Sequence, residues 1–330
     1  MKKILITGGT GFIGSHLAEY CASKGYKVTV FDRYNPIFNL GNLSSSKYNK
    51  KIKFVFGDIR DFDSIDKEVR KNNVILHLAA LIGIPYSYVS PLAYLKTNVE
   101  GTYNILESVR RNNTSKLILT STSEVYGTAK YVPIDENHPL QAQSPYSASK
   151  MSADQLAISY NLSFGLPVTI IRPFNTFGPR QSLRAVIPTI INQAIDRKKN
   201  LNLGIIKARR DFNYINDVVD AFEKSIRSKK DIGQIINIGS GYEISIEELA
   251  KTIYEIMDLP LKIHKDKKRL RPTKSEVLRL KASNIKAKKL LNWKPKFNNR
   301  KKLKEALKIT IKWYQKKENR EKFKDSSFIV

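Results

Sequence analysis

Gly8-Gly9-Thr10-Gly11-Phe12-Ile13-Gly14 cuts short an apolar run, KILIT at 3–7, and opens a stretch with helical spacing. A strand that must turn at once into a helix has few ways to do so. Glycines permit the tight turn and let backbone N–H groups at the helix N-terminus approach a pyrophosphate. Asp32 ends the next apolar run, KVTVFD at 27–32. A carboxylate there can accept hydrogen bonds from an adenosine ribose and repels a 2′-phosphate. The combination predicts a Rossmann dinucleotide fold with NAD preferred to NADP, and Arg33 pulls weakly the other way. A glycine turn in an unrelated α/β protein is the plainer alternative.

The rest of the chain repeats strand and helix. Apolar strands are expected at 53–58, 74–80, 116–122 and 167–173, with helices near 15–24, 63–71, 91–111 and 147–164. Continuous apolar strands in this alternation mean a parallel sheet covered on both faces. Beyond 173 the pattern loosens. Helices are expected at 185–198, 245–257 and 301–315, a loop plus helix over 208–228, and one more buried strand at 234–241. The last helix sets Leu303, Leu307, Ile311 and Tyr314 on one face. Residues 316–330, mostly charged, are expected to fray. The fold class is α/β: a doubly wound parallel sheet over 1–173, rejoined by 211–240, with a smaller interleaved lobe formed mainly by 174–330.

Charge and composition narrow the partners. The chain has 58 Lys+Arg against 30 Asp+Glu, a net charge of +28. Such a surface attracts anions, whether nucleotides, nucleic acid or acidic membranes. No helix-turn-helix, zinc-finger or RNA-binding motif accompanies it, so no specific nucleic-acid binding is expected. Cys21 alone cannot form an internal disulfide and is expected as a buried structural thiol; four scattered His give no ligand spacing, so no metal is expected. The longest apolar stretch, 74–84, is too short to cross a bilayer, and glycines cut the N-terminal run too early for a signal peptide. The cytoplasm is the expected compartment.

The candidate chemistry lies between 120 and 150. Tyr146 and Lys150 stand four residues apart, one turn along a helix face. The ammonium can make the phenol a better acid, and the tyrosinate is then a base for a hydroxyl. They follow Thr120-Ser121-Thr122, where Thr122 can hydrogen-bond the same oxygen. Simple hydride transfer needs no more. Glu124 adds a second base, suited to a proton on carbon beside a new ketone. A surface Tyr/Lys pair and a structural ion-paired glutamate are the plainer alternatives.

As a set these motifs resemble the extended short-chain dehydrogenase/reductases, the NAD-dependent epimerase/dehydratase family. The resemblance covers roughly residues 1–300. It implies a cofactor turn made by Gly8, Gly11, Phe12, Ile13 and Gly14, and an adenine contact from Asp58 and Ile59. It also implies a cofactor wall from Leu78, Ala79 and Ala80, and a structural and active-site role for Asn98. STSEVYG at 121–127 resembles several relatives: the GDP-mannose type of 4,6-dehydratase also carries Ser-Glu after the Thr, nucleotide-sugar decarboxylases share it, and UDP-galactose-type 4-epimerases usually lack the glutamate. Where the dTDP-glucose type carries an Asp that protonates the leaving hydroxyl, this chain has Ser123, which leaves that acid unassigned. IGIPYSYVSP (82–91), PIDENHPLQAQSPYSASK (133–150), RPFNTFGPRQSLRAVIPTII (172–191), RRDFNYINDVVDAF (209–222) and RLRPTKSEVLRL (269–280) look closest to one subgroup, the nucleotide-linked N-acetylglucosamine 4,6-dehydratases of the legionaminic-acid type.

The resemblance makes Arg210 and Arg271 nucleotide-phosphate contacts. Asn175, Arg184 and Tyr86 are further substrate candidates; Tyr86 and Tyr88 either border the sugar or pack in the core. Lys281-Ala282-Ser283 departs from the acidic residue many relatives keep there. A homodimer through the helices near 91–111 and 147–164 is implied. The implied activity on a nucleotide-sugar is oxidation at C4, elimination across C5–C6 and hydride return to C6. A 4-epimerase, a nucleotide-uronate decarboxylase and a catalytically silent NAD-binding regulator are the alternatives.

Overall fold

The computed structural model describes residues 2–321 apart from 38 and 197–199. Seven strands build the main sheet: β1 (Lys3–Thr7), β2 (Lys27–Arg33), β3 (Ile52–Gly57), β4 (Val74–His77), β5 (Lys116–Thr120), β6 (Val168–Pro173) and, after three short strands, β10 (Ile235–Ile238). Those three are β7 (Asn175–Phe177), β8 (Asn200–Leu203) and β9 (Arg209–Tyr214); β11 (Glu243–Ser245) and β12 (Lys262–Lys265) follow. The main sheet runs β10-β6-β5-β4-β1-β2-β3 and is parallel throughout. Strand order reverses at β1, with β2 on one side and β4 on the other. A crevice forms at such a switch point beyond the C-terminal strand ends.

Side chains alternate between two cores. Ile4, Ile6, Val30 and Leu76 point to one, under helices α1 (Phe12–Ser23) and, much later, the helix at Ile215–Arg227. Leu5, Phe31, Ile75 and Leu117 point to the other. That face is covered by α2 (Phe62–Val69), a helix at Gly101–Arg111 and a long one at Pro145–Phe164, through Ile65, Ile105 and Ala157. Buried strands with both faces covered explain the continuous apolar runs. Cys21 is fully buried in α1, and burial pushes its thiol up to about 12. β9 lies between β11 and β7 in a second sheet, and β12 pairs with β8 in a third.

Several boundaries differ from expectation. α1 starts at Phe12 with Gly11 as its N-cap, three residues before Ser15. The helix expected over 91–111 is not uniform. It comprises Pro91–Tyr94, a π turn at Leu95–Glu100 and Gly101–Arg111. The π turn carries Asn98, whose buried amide bonds the backbone of Leu81 and the hydroxyl of Ser149. β9 falls where the sequence predicts a loop. The helix expected at 185–198 spans Val186–Ile195, and 197–198 lie outside the described residues. Residues 317–321 do not fray: Lys317–Glu321 is helical, and Arg320 pairs with Asp196 at 2.7 Å. Residues 322–330 lie outside the described residues.

Candidate active site

A cleft of about 1170 Å³ lies over the C-terminal ends of β1, β2, β4 and β5. The glycine turn forms its floor. Gly8 has φ +68°, and a Cβ there would stand 2.8 Å from the Ala79 nitrogen. A Cβ on Gly14 would stand 2.2 Å from the Gly8 carbonyl oxygen. Only hydrogen fits at either place, which leaves backbone facing the cleft. The Thr7 hydroxyl accepts from the N–H groups of both Leu78 and Ala79, tying the wall to β1. His77, fully buried, contacts Thr7 through Nδ1 at 2.8 Å and Thr102 through Nε2 at 3.2 Å. Because the Thr102 hydroxyl donates to the Asn98 carbonyl, it accepts from His77, which fixes a neutral ring protonated on Nε2. Burial, with Lys150 nearby, holds this histidine down at about 3.

The cleft's first half fits a dinucleotide. Gly8, Gly11, Phe12, Ile13, Gly14, Asp32, Asp58, Ile59, Leu78 and Ala80 all line it. Asp32 Oδ2 accepts from the backbone N–H and hydroxyl of Thr10, and Oδ1 from the Arg33 N–H. These bonds hold a carboxylate at the end of β2 with lone pairs to spare. Arg60 clamps Asp58 through Nε and Nη2, which holds that carboxyl below its usual range. Two expected cofactor residues are not in the lining. Ala79 meets Gly8 through its backbone, and Asn98 is spent on Leu81 and Ser149 behind the wall.

The second half holds the reactive side chains. The helix at Pro145–Phe164 begins with a capping box between Ser144 and Ser147 and with Pro145 at its first position. Tyr146 and Lys150 follow on one buried face and line the cleft. Lys150 Nζ donates to the Thr120 carbonyl at 2.6 Å. Burial pulls Lys150 down to about 8, opposed by Asp154. Burial pushes Tyr146 well up, with Glu124, Tyr94 and Asp154 adding to the rise and the Thr122 hydroxyl opposing it. Thr122 Oγ1 accepts from the Glu124 N–H, so its own proton is free to donate. β5 stops at Thr120, and a 3₁₀ turn over Ser123–Tyr126 brings Ser123 and Glu124 into the cleft wall.

Around this centre stand polar groups without partners. The buried Thr120 Oγ1, Asn175 Oδ1 and Gln181 Oε1 have no hydrogen bond among the described residues, and all three residues line the cleft. Tyr86 lines it half exposed, so it is not a core residue, and the exposed Arg184 lines it too. Tyr88 instead bonds Ser275. Arg271 lines the cleft, with Nη1 3.6 Å from Glu124 Oε2. Arg210 does not line it; it is buried behind and pairs with Glu276 at 3.2 Å. Arg180 is marked by no spacing motif, yet it lines the cleft, pairs with Glu19 at 2.8 Å and donates to Ser15 near the glycine turn. Its position after Phe177-Gly178-Pro179, in a chain reversal, was the available signal.

A parallel sheet with a glycine turn at its switch point, and a buried Tyr-x-x-x-Lys beside it, defines a short-chain dehydrogenase/reductase of the extended type. The chain belongs to the GDP-mannose 4,6 dehydratase family, whose sequence profile matches residues 5–306. A dTDP-D-glucose 4,6-dehydratase of Dictyostelium discoideum is 37% identical over 271 residues, 78% of this chain. This chain spans 62% of that protein's length. DesIV, a dTDP-glucose 4,6-dehydratase of Streptomyces venezuelae solved with NAD and TYD bound, has a TM-score of 0.85 at 28% identity, covering 97% of this chain and 98% of its own. A UDP-glucuronic acid 4-epimerase of Bacillus cereus, solved with UDP-glucuronic acid and NAD, has a TM-score of 0.85 at 30% identity, covering 94% and 98%. All three relatives are named as enzymes of nucleotide-sugars, and both solved structures contain NAD.

Proposed function

We propose that this protein is an NAD-dependent nucleotide-sugar 4,6-dehydratase. Its substrate is UDP- or GDP-N-acetylglucosamine and its product a 4-keto-6-deoxy sugar. The observation that carries the reading is Glu124 in the same cleft wall as Thr122, Tyr146 and Lys150. An epimerase needs a base for the C4 hydroxyl alone. A carboxylate beside it serves the C5 proton, which the C4 ketone acidifies. Gly8, Gly11, Phe12, Ile13, Gly14 and Asp32 would hold NAD, which would supply a hydride acceptor at C4 and a hydride donor at C6.

The protein's own groups divide the work. Tyr146 takes the C4 hydroxyl proton, Thr122 donates to the same oxygen, and Lys150 orients the cofactor ribose. Glu124 takes the C5 proton and hands it to the C6 oxygen, which leaves as water, and Ser123, whose hydroxyl forms no hydrogen bond among the described residues, stands beside it. Asn98 acts by holding Leu81 and Ser149. Asp32 selects NAD at the ribose, and Arg180 faces the pyrophosphate. The part of 174–330 outside 211–240 forms the nucleotide-sugar lobe, with Asn175, Arg184 and Arg271 facing the substrate and Arg210 behind them. Asn175, with a buried oxygen lacking a donor, suits a sugar hydroxyl.

The 4-epimerase is the second reading, because a 4-epimerase stands among the structural relatives. Incubation of the purified protein with each nucleotide-sugar separates the two. A product lighter by one water supports dehydration, and an isomer of unchanged mass overturns it. Glu124→Gln is expected to bind NAD normally while C5 deuterium exchange from solvent falls about 100-fold or more. Full exchange in that variant would remove Glu124 from its role.

A further inference from the structure

Glu124 and Arg271 raise a question that the reaction alone does not answer. Both line the cleft, and their charged ends are 3.6 Å apart. That is an ion pair but longer than a hydrogen bond. Arg271 Nε is 3.9 Å from a second carboxylate, Glu276. No side-chain hydrogen bond is made by the Arg271 guanidinium among the described residues. Its donors are satisfied by charge at a distance and by nothing closer. Arg210 differs. It is buried, and it is anchored by the Arg209 carbonyl at 3.0 Å and by Glu276 at 3.2 Å.

We propose that Arg271 is a shared cation that holds the Glu124 carboxylate in the ligand-free site and transfers to the substrate diphosphate on binding, so that nucleotide recognition releases the base. This rests on the dehydratase reading above. The exchange is favourable because a diphosphate offers a planar guanidinium two short, charge-assisted hydrogen bonds, where Glu124 offers only an ion pair at longer range. Arg271 is a quarter exposed, and it follows a 3₁₀ turn at Lys267–Arg269 with no bond fixing its side chain. Arg210 stays on Glu276 and marks the fixed end of the cluster. Glu124 makes no side-chain hydrogen bond among the described residues, and the transfer leaves it facing the sugar with only the charge of the buried Arg210 behind it. Arg271 is thus a positioning residue for Glu124 as well as a ligand contact.

Linkage gives a test without turnover. If Glu124 competes with diphosphate for Arg271, removing its charge frees the arginine and tightens nucleotide binding. UDP, GDP and dTDP are titrated by calorimetry into the NAD-loaded protein, and the tightest binder is used. Glu124→Gln is expected to bind it about three- to tenfold more tightly than wild type. With Arg271→Gln already present, the same change is expected to give less than about twofold. Glu124→Ala repeats the measurement without the amide, and NAD titration checks that each variant is folded. Unchanged or weaker binding in both Glu124 variants overturns the inference. A gain of equal size in the Arg271→Gln background also overturns it, because the effect is then simple charge repulsion. If nucleotide binds wild type but the gain is missing, the dehydratase reading stands alone. If none of the three binds wild type, both fall.

Discussion

Burial acts against both members of the Tyr146–Lys150 pair. It favours the neutral phenol and the neutral amine, while the chemistry needs an ammonium and, transiently, a phenolate. The structure offsets this with Asp154, fully buried one turn beyond Lys150 and paired with Arg172 at 2.9 Å. Asp154 favours the ammonium but also disfavours the phenolate, so Thr122 and the bound cofactor must supply the rest. Lys150 at about 8 has a direct consequence. In the free protein it loses its proton as pH rises through that value. kcat/KM, which reports free-enzyme groups, is expected to fall about tenfold per pH unit above roughly 8. Lys150→Arg keeps its charge to far higher pH, so its slower reaction should lack this alkaline limb. A limb at unchanged pH in that variant would assign it to another group. The spacing of Tyr146 and Lys150 foretold a shared helix face, and Thr120-Ser121-Thr122 ahead of them singled the pair out. Arg180 was not legible, because its place beside Ser15 and Glu19 arises from tertiary contact across 165 positions.

Elements were legible where their periodicity was clean. β1, β2, β4, β5 and β6 are largely buried and read as apolar runs, and β3, only half-buried at the sheet edge, keeps the same pattern, so each was found to within a few residues. β9 was not. Its sequence, RRDFNY, looks like an exposed loop, yet five of its six residues are buried. Asp211 there accepts from Ser240, Gly241 and Ala282, so a polar strand is stabilised by partners far along the chain. The π turn at Leu95–Glu100 was invisible for a related reason: what it gains is the fit of Asn98 to Leu81 and Ser149. His77, at the end of β4, shows what such buried polar joints imply for stability. Its folded value of about 3 lies below the ordinary 6.5, so between these values the unfolded chain binds more protons than the native one. Its contribution is therefore complete above about pH 6.5 and lost as pH falls toward 3, by about 1.4 kcal/mol per unit. His16, held at about 4 mainly by burial, adds in the same direction. Urea midpoints from pH 7 to 4 should fall less steeply in His77→Gln than in wild type. Parallel slopes would mean that other groups govern acid unfolding.

At the scale of the whole molecule, the sheet and its cleft account for cofactor and chemistry but leave one surface unexplained. Among the described residues no helix is long and apolar enough to cross a membrane, and several large apolar side chains are exposed. Leu95, Val99 and Tyr103 recur every four residues on one side of the 91–111 segment, and Leu95 and Tyr103 are about half exposed. On the neighbouring long helix Ser152, Gln155, Ser159 and Leu162 form a matching stripe, with Leu162 78% exposed. A shallow depression between them is lined by Val99, Met151, Ser152, Gln155, Leu156 and Ser159. An apolar stripe lying beside a stripe of small and polar residues that ends in Leu162 suits packing against its own copy about a twofold axis, since such an interface needs only one self-complementary patch. The expected solution state is a homodimer, about twice the 37.7 kDa chain mass by sedimentation. Leu95→Glu with Leu162→Glu places four carboxylates in that interface and should shift the protein to monomer, while NAD binding, at the C-terminal ends of the strands, persists. A wild-type monomer, or a dimer indifferent to both charges, would place the contact elsewhere. The dimer matters to the site through one connection: the long helix that would form the interface also carries Tyr146 and Lys150, so loss of the partner is expected to weaken catalysis more than cofactor binding.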